Sequence, residues 1–320
     1  KCLPSFIGQN LFNLNNYPIY TLMITTRRTF LKSSLGLALT PTLAISAKNV
    51  KPRLAFSTLG CPTWPLPKII QTAVAEKYEA IEIRGLEKEM FLPKRPEFST
   101  NIAQTRRLLA DNKLKICNLG ASSNLHFMDA TKRQKNMDEA KRFIDLAQQL
   151  SCPYVRVFPN DLPKDQERQQ TIDLISENLL ELGRYAKDAS VTVLLESHGQ
   201  VIWKDVLLEI MQKAEHPNVG LIWDFFNMWS VTNESPTEVY RVLGKYIRHV
   251  HVKDGSMVNG KPAYTFIGKG IAPVKETVDL LKASGYKGYY SFEWEKMWHP
   301  EIAEPELAFT DYPKAMQRYF

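Results

Sequence analysis

Ile247–Asp254 reads IRHVHVKD, and the fold turns on how that run is read. Apolar residues alternate strictly with polar ones, the period-two pattern of a strand. Val250 and Val252 fall on one face; His249, His251 and Lys253 fall on the other. Lysine is almost never buried without a partner, so this is no ordinary core strand. Its polar face must look into a cavity, a metal or a ring of opposite charges. Three other strand-like runs place a carboxylate near their C-terminal ends. They are VTVLLESHG (Val191–Gly199, with Glu196), VGLIWDF (Val219–Phe225, with Asp224) and YYSFEWE (Tyr289–Glu295, with Glu293). Apolar strands that each end in an acid or a histidine predict one site assembled at one end of a sheet.

Working outward, strand patterns also occur at Lys51–Gly60, Glu79–Gly85, Leu114–Gly120 and Tyr154–Phe158. Helical patterns separate them. One spans Ser99–Asn112, with Ser99 as its expected N-cap. Another starts at Ser235-Pro236, a good opening signal. A later one ends at Gly285, a natural helix stop. Phe225–Asn233 and the Gly-rich Gly255–Gly270 read as loops. Lys296–Phe309 reads as a tail loop before a last helix at Thr310–Phe320. Strands alternating with helices give a parallel sheet with right-handed crossovers. Eight such units in one compositional block predict an α/β fold of the closed (β/α)8 TIM-barrel type, with residues 48–320 as a single catalytic domain. An open doubly wound sheet is the other arrangement, but no G-x-G-x-x-G follows the first strand.

The 320 residues carry a net charge of +7. Four of the basic residues, Lys1, Arg27, Arg28 and Lys32, sit in residues 1–47, where there is no acid. Setting them aside cuts the excess by more than half, and no dense Lys/Arg run remains, so no nucleic-acid partner is expected. Thr25–Lys32 reads TTRRTFLK, followed by a short, mildly apolar run with small residues at Ala44, Ser46 and Ala47. Residues 23–47 are read as a twin-arginine export signal, cleaved near Ser46 or Ala47. Its apolar run is too short to span a bilayer and is interrupted by Pro41, so no stable membrane anchor is expected after cleavage. A periplasmic location follows. Residues 1–22 are expected to be upstream of the true start at Met23. Cys61, Cys117 and Cys152 match no zinc spacing and read as buried small hydrophobes.

In a barrel of this kind, catalytic groups sit at the C-terminal ends of the strands. Glu196, Asp224, His251 and Glu293 lie there, on the fifth to eighth strands. Any one alone is an ordinary strand-end polar group. Together, three carboxylates and an imidazole suit one divalent cation, Mn2+, Co2+, Mg2+ or Zn2+. Two glutamates flanking a cation also suit proton transfer at a C–H next to a carbonyl, one removing the proton and the other delivering one. Glu196 and Glu293 are therefore the candidate catalytic pair. His198 reads either as a contact to a substrate hydroxyl or as support for the ligands. Lys253 either holds an oxyanion or makes a structural ion pair. Glu82, Arg84 and Arg156 share inward positions, as an internal ion pair or as substrate contacts. Trp64, His126, Trp229, Trp298 and His299 fall in loops that roof the barrel mouth, where aromatic planes suit the apolar faces of sugar rings.

The motifs LLESHG, GLIWDFFNMW, RHVHVKD and YYSFEWE resemble the successive strand-end motifs of the xylose-isomerase-like TIM barrels. That resemblance covers about Arg53 to Phe320. It implies that Glu196, Asp224, His251 and Glu293 are metal ligands, and that Glu196 and Glu293 double as the acid/base pair of epimerase members. The chain departs from the family twice. Asn227, a candidate substrate contact, stands where many members have histidine. Met257 stands where ketose epimerases often have arginine. Gly255–Phe266 also lacks the Asp-x-His of the nuclease branch.

A metal-dependent isomerase or epimerase acting on an unphosphorylated sugar or derivative is the function expected. A lyase of the inosose or keto-sugar type would use the same C–H abstraction. A sugar-binding barrel without catalysis is the third reading. The pattern leaves homo-oligomer formation open.

Overall fold

The computed structural model describes residues 51–320; the predicted export signal and the segment ahead of it lie outside the described residues. Eight parallel strands close into a barrel. They are β1 (Leu54–Ser57), β2 (Ala80–Ile83), β3 (Lys115–Asn124), β4 (Tyr154–Phe158), β5 (Thr192–Glu196), β6 (Val219–Asp224), β7 (Ile247–Val252) and, after a two-stranded insertion of β8 (Asp254–Val258) and β9 (Lys261–Thr265), β10 (Tyr290–Phe292). β10 pairs with both β7 and β1, with Ser291 opposite His251 and opposite Ala55, which closes the ring. Helices α1 (Leu66–Ala75), α2 (Ile102–Asp111), α3 (Ala130–Leu150), α4 (Arg168–Ala186), α5 (Lys204–Lys213), α6 (Phe225–Thr232), α7 (Pro236–Leu243), α8 (Val274–Ala283) and α9 (Pro305–Gln317) follow the strands.

The main apolar core lies between strands and helices. Outward residues such as Ile81, Val155, Val193, Leu195, Val250 and Val252 are fully or almost fully buried there. Helix α9 covers the seam where β10 meets β1. Phe309 stacks on Phe56 at 4.1 Å and Tyr312 stacks on Phe292 at 4.5 Å. The Tyr312 hydroxyl donates to the Tyr290 carbonyl oxygen at 3.0 Å. Inside the barrel many side chains are polar: Glu82, Asn118, Arg156, His249, His251 and Ser291 are all buried, beside apolar Ala55, Ala80, Leu194 and Ile222.

Four local expectations are corrected. The Gly-rich stretch is not a loop but the β8–β9 hairpin, turned by Asn259 and Gly260 at φ 52° and 73°. Positive φ at both positions is the geometry of a tight two-residue hairpin turn. The stretch after Asp224 is helix α6, because the Asp224 side chain accepts from Asn227 N and caps it. Ser99 caps no helix: α2 begins at Ile102, and Ser99 Oγ donates back to Arg95 O at 2.7 Å. Helix α9 starts at Pro305, inside the expected tail loop, with proline in the first turn where its missing N–H costs nothing.

Candidate metal centre and active site

The C-terminal ends of β5, β6, β7 and β10 bring Glu196, Asp224, His251 and Glu293 together. One ligand atom from each lies within 4.8 Å of all the others, and all four residues are buried. Around His251 Nδ1, Glu293 Oε2 stands at 3.2 Å, Glu196 Oε1 at 3.4 Å and Asp224 Oδ2 at 3.8 Å.

Each ligand is oriented by its own surroundings. Asp224 spends Oδ1 on the Asn227 amide at 2.9 Å, so Oδ2 is left to face the centre. Ser197 Oγ accepts from Asp224 N at 3.0 Å and ties β5 to β6. Glu196 is held on Oε2 by Arg156 Nη1 at 2.6 Å, leaving Oε1 toward His251. Burial works to raise the Glu196 carboxyl, but Arg156 and His251 outweigh it and hold it at about 2. Burial works the same way on Glu293, and His251 and Lys253 hold it well below the usual carboxylate range.

Buried His251 Nδ1 and Asp224 Oδ2 have no hydrogen-bond partner among the described residues. Buried polar atoms are almost always paired, so such an orphan calls for an explanation. His251 Nε2 faces Glu82 at 3.0 Å, which makes Nε2 a donor and turns Nδ1 toward three carboxylate oxygens. One imidazole nitrogen and three carboxylates converging on one point call for positive charge there, supplied in the metal-free chain by the His251 proton and by Lys253 at the edge of the cluster. A divalent cation meets that need, and the donor set of three oxygens and one imidazole nitrogen fits one. The residues present thus form a divalent-metal site.

Lys253 sits behind this centre. Its Nζ donates to Glu293 Oε2 at 2.9 Å and to Glu295 Oε1 at 2.8 Å. It also lies 2.6 Å from Asp224 Oδ2, in line for charge attraction but not for a hydrogen bond. Burial opposes its charge, but these three acids outweigh it and the ammonium stays charged. Glu295 is lifted by burial to about 7 in spite of Lys253.

A cavity of about 380 Å³ opens over the centre, lined in part by Arg84, Arg156, Phe158, Glu196, His198, Asn227, Tyr264, Glu293, Glu295 and Trp298. A larger one, about 870 Å³, lies at the opposite end of the barrel among Arg53, Lys115, Tyr154 and Tyr289. It holds none of the converging acids and histidines, so the chemistry belongs to the smaller cavity.

Of the side chains singled out from the sequence as substrate contacts, His198, Asn227, Arg156 and Trp298 line the site cavity. His198 Nδ1 lies 2.8 Å from Asn160 Oδ1. Lys253 is turned onto the acids as described. Trp64 does not reach the site: it is buried against Phe309 with Lys68 Nζ 4.0 Å over its ring. His126 does not line the cavity either; it is buried beside Phe127, 3.8 Å from Asp161. Trp64 packs against helix α9, and His126 sits among residues of the loops after β3 and β4.

Glu295 and Tyr264 were given no role, and Glu82, read as part of an internal ion pair or as a substrate contact, pairs with the barrel histidines rather than with Arg84 or Arg156. Glu82 serves both barrel histidines and Ser291. Glu295 lies two residues past Glu293, and the same alternation that flagged Glu293 put it on the inward face. Tyr264 arrives on the β8–β9 hairpin, whose base is pinned by Asp254 accepting from the amides of Gly255, Gly268, Gly270 and Ala272.

Fold and site together define a barrel with a metal centre at its mouth. The chain belongs to the xylose isomerase-like TIM barrel family, whose pattern matches residues 70–312. Among curated relatives it is 23% identical to the fructoselysine 3-epimerase of Shigella flexneri, over 78% of this chain and 91% of that one. It is 25% identical to the 3-dehydroshikimate dehydratase of Pseudomonas putida, over 68% of this chain, and there it spans only 35% of the relative's length. Among solved structures the IOLI protein with a bound zinc atom superposes with a TM-score of 0.72 at 20% identity, covering 84% of this chain and 99% of that one. Among the described residues no helix is long and apolar enough to cross a membrane.

Proposed function

We propose that this chain is an exported, metal-dependent isomerase or epimerase of a sugar or sugar derivative, working by proton transfer at a carbon beside a carbonyl. The observation that carries the reading is His251 Nδ1, buried, without a hydrogen-bond partner among the described residues and surrounded by one carboxylate oxygen each from Glu196, Asp224 and Glu293. A bound Mn2+, Co2+, Mg2+ or Zn2+ would supply the positive charge that stabilises the oxyanion developing as the proton leaves.

Glu196 and Glu293 take the proton-transfer roles. Their environments differ. Glu196 has Oε2 on Arg156 and Oε1 turned to His251, whereas Glu293 turns the same Oε2 to both Lys253 and His251, and its Oε1 makes no hydrogen bond among the described residues. Glu293 therefore has the oxygen freer to reach a substrate C–H, and we assign it the base role. His198, Asn227 and Trp298 are assigned to orienting the sugar, and Arg156 to holding Glu196. Likeness to a fructoselysine 3-epimerase over most of both chains supports epimerisation. The leader pattern in residues 23–47 supports delivery of the folded chain to the periplasm.

Elimination is the second reading, favoured by the likeness to a dehydratase. It begins with the same proton abstraction and then expels a leaving group. The test is incubation of the Mn2+-loaded chain with ketoses and keto-sugars in D2O. Deuterium entering an otherwise intact sugar, lost on Glu293→Gln, is the result expected. A product short of one substituent selects the lyase. No exchange and no product with any of them contradicts both.

A further inference from the structure

Arg84 follows β2 and lines the same cavity as Glu196 and Glu293. It is 7% exposed, yet no carboxylate oxygen among the described residues lies within 4.0 Å of its guanidinium. Its one side-chain hydrogen bond among the described residues is a long one, from Nη1 to Gly120 O at 3.3 Å. The neighbouring cations are treated differently. Arg156 has Glu196 at 2.6 Å and the Ala121 carbonyl oxygen at 3.2 Å, and Lys253 has three acids. Buried charges are normally paired, because removing a charge from water without a partner is costly. Burial and then repulsion from Arg156 pull the Arg84 guanidinium down to about 9, against attraction from Glu196, Glu293 and Glu139, none of which pairs with it directly.

The backbone is built to admit this residue. A Cβ on Gly120 would lie 2.7 Å from Arg84 Cδ and 2.9 Å from Arg156 Nη2, so any larger residue there would have to push both arginine side chains aside. Phe158 lies beneath the pair, its ring 3.8 Å from Arg156 Cζ and 5.9 Å from Arg84 Cζ. The cavity size is within the range of about 300–1,000 Å³ usual for small-molecule sites.

We propose that Arg84 anchors an anionic substituent of the substrate, so that the site takes a sugar acid or sugar phosphate in preference to a neutral sugar. The guanidinium fork matches a carboxylate or a phosphate through paired N–H donors, and the missing counterion is the one the substrate brings. The inference rests on the reading of this cavity as the site of a sugar-transforming enzyme.

The experiment is calorimetry of the full, Mn2+-loaded chain with three probes of one carbon skeleton: D-fructose, D-fructuronate and D-fructose 6-phosphate. At least one charged probe should bind about tenfold tighter than fructose or better, a difference typical of a charge-assisted pair. In Arg84→Gln the ratio of charged to neutral affinity should fall to near one, and in Arg84→Lys it should be reduced but not lost. Mn2+ stoichiometry reports whether each variant is folded, and Arg84→Lys carries the test if Arg84→Gln is not. Which charged probe gains identifies carboxylate or phosphate as the anion. Equal affinities, a preference that survives in both variants, or no binding of either charged probe overturns the proposal. Deuterium exchange on the same samples keeps the two readings apart. Arg84-dependent binding without exchange sinks the proton-transfer reading alone, and exchange into fructose with no charge preference sinks this one alone.

Discussion

Glu82, on β2, faces His251 Nε2 across the barrel interior at 3.0 Å. The same carboxylate takes His249 Nε2 at 2.8 Å and the Ser291 hydroxyl at 2.9 Å. One buried acid thus fixes which His251 nitrogen carries the proton and which faces the centre. Burial alone would raise the Glu82 carboxyl, but the two histidines hold it far below the usual range. Carboxylates behind a metal-bound histidine set its orientation and basicity.

Glu82→Gln should therefore lower Mn2+ affinity by about 10–100-fold, although no proposed ligand is altered. The amide brings an NH2 group in place of an acceptor and cannot serve three donors. Chelator competition gives the affinity directly. An unchanged constant would make Glu82 a purely structural residue.

Metal binding should release a proton. Burial disfavours the His251 imidazolium, but Glu293, Glu82 and Glu196 outweigh it, so the metal-free chain keeps His251 charged well above the ordinary histidine range. A cation must displace that proton from Nδ1. Affinity should then rise with pH through neutrality and level off only above the raised pKa. Calorimetry with Mn2+ in two buffers of different ionisation enthalpy should show about one proton released per cation near neutral pH. A pH-independent affinity would place the cation away from His251.

Gly120→Ala should cost about 1–3 kcal/mol of stability through overpacking. It should also displace Arg84, because the new methyl group lands on the Arg84 side chain. Urea denaturation measures the first effect. The second appears as a loss of charge preference in ligand binding, and a variant with full stability and full preference would show that β3 accommodates the methyl group.

Much of this arrangement was legible in the chain. Period-two runs ending in Glu196, Asp224, His251 and Glu293 marked the four strands that meet, because a barrel strand has one face in the interior and one under a helix. The β8–β9 hairpin was hidden by its glycines and by a polar, partly exposed make-up, although Asn259-Gly260 is a hairpin signal in itself. Helix α6 was hidden because its cap is Asp224, a residue already read as a strand end. Trp64 and His126 were misplaced for another reason. A loop's position in the sequence tells which end of the barrel it occupies, not whether its aromatic side chain turns inward or back onto a helix. Glu82 shows the same limit, since an acid in mid-strand gives no hint that its partners lie 167 and 169 residues away.

Trp64→Ala tests that correction. A buried tryptophan packed on Phe309 should cost about 3–5 kcal/mol when truncated. Mn2+ affinity of the folded fraction should stay within error of the parent. A specific loss of ligand binding at unchanged stability would return Trp64 to the proposed substrate site.

The most direct measurement is anomalous scattering from a crystal of the chain grown with Mn2+. One peak should lie among Glu196, Asp224, His251 Nδ1 and Glu293, with all four within bonding distance. A peak beside Glu82 and His249 instead, the other cluster able to hold a cation, or a centre with no bound ion at saturating Mn2+, would contradict the account.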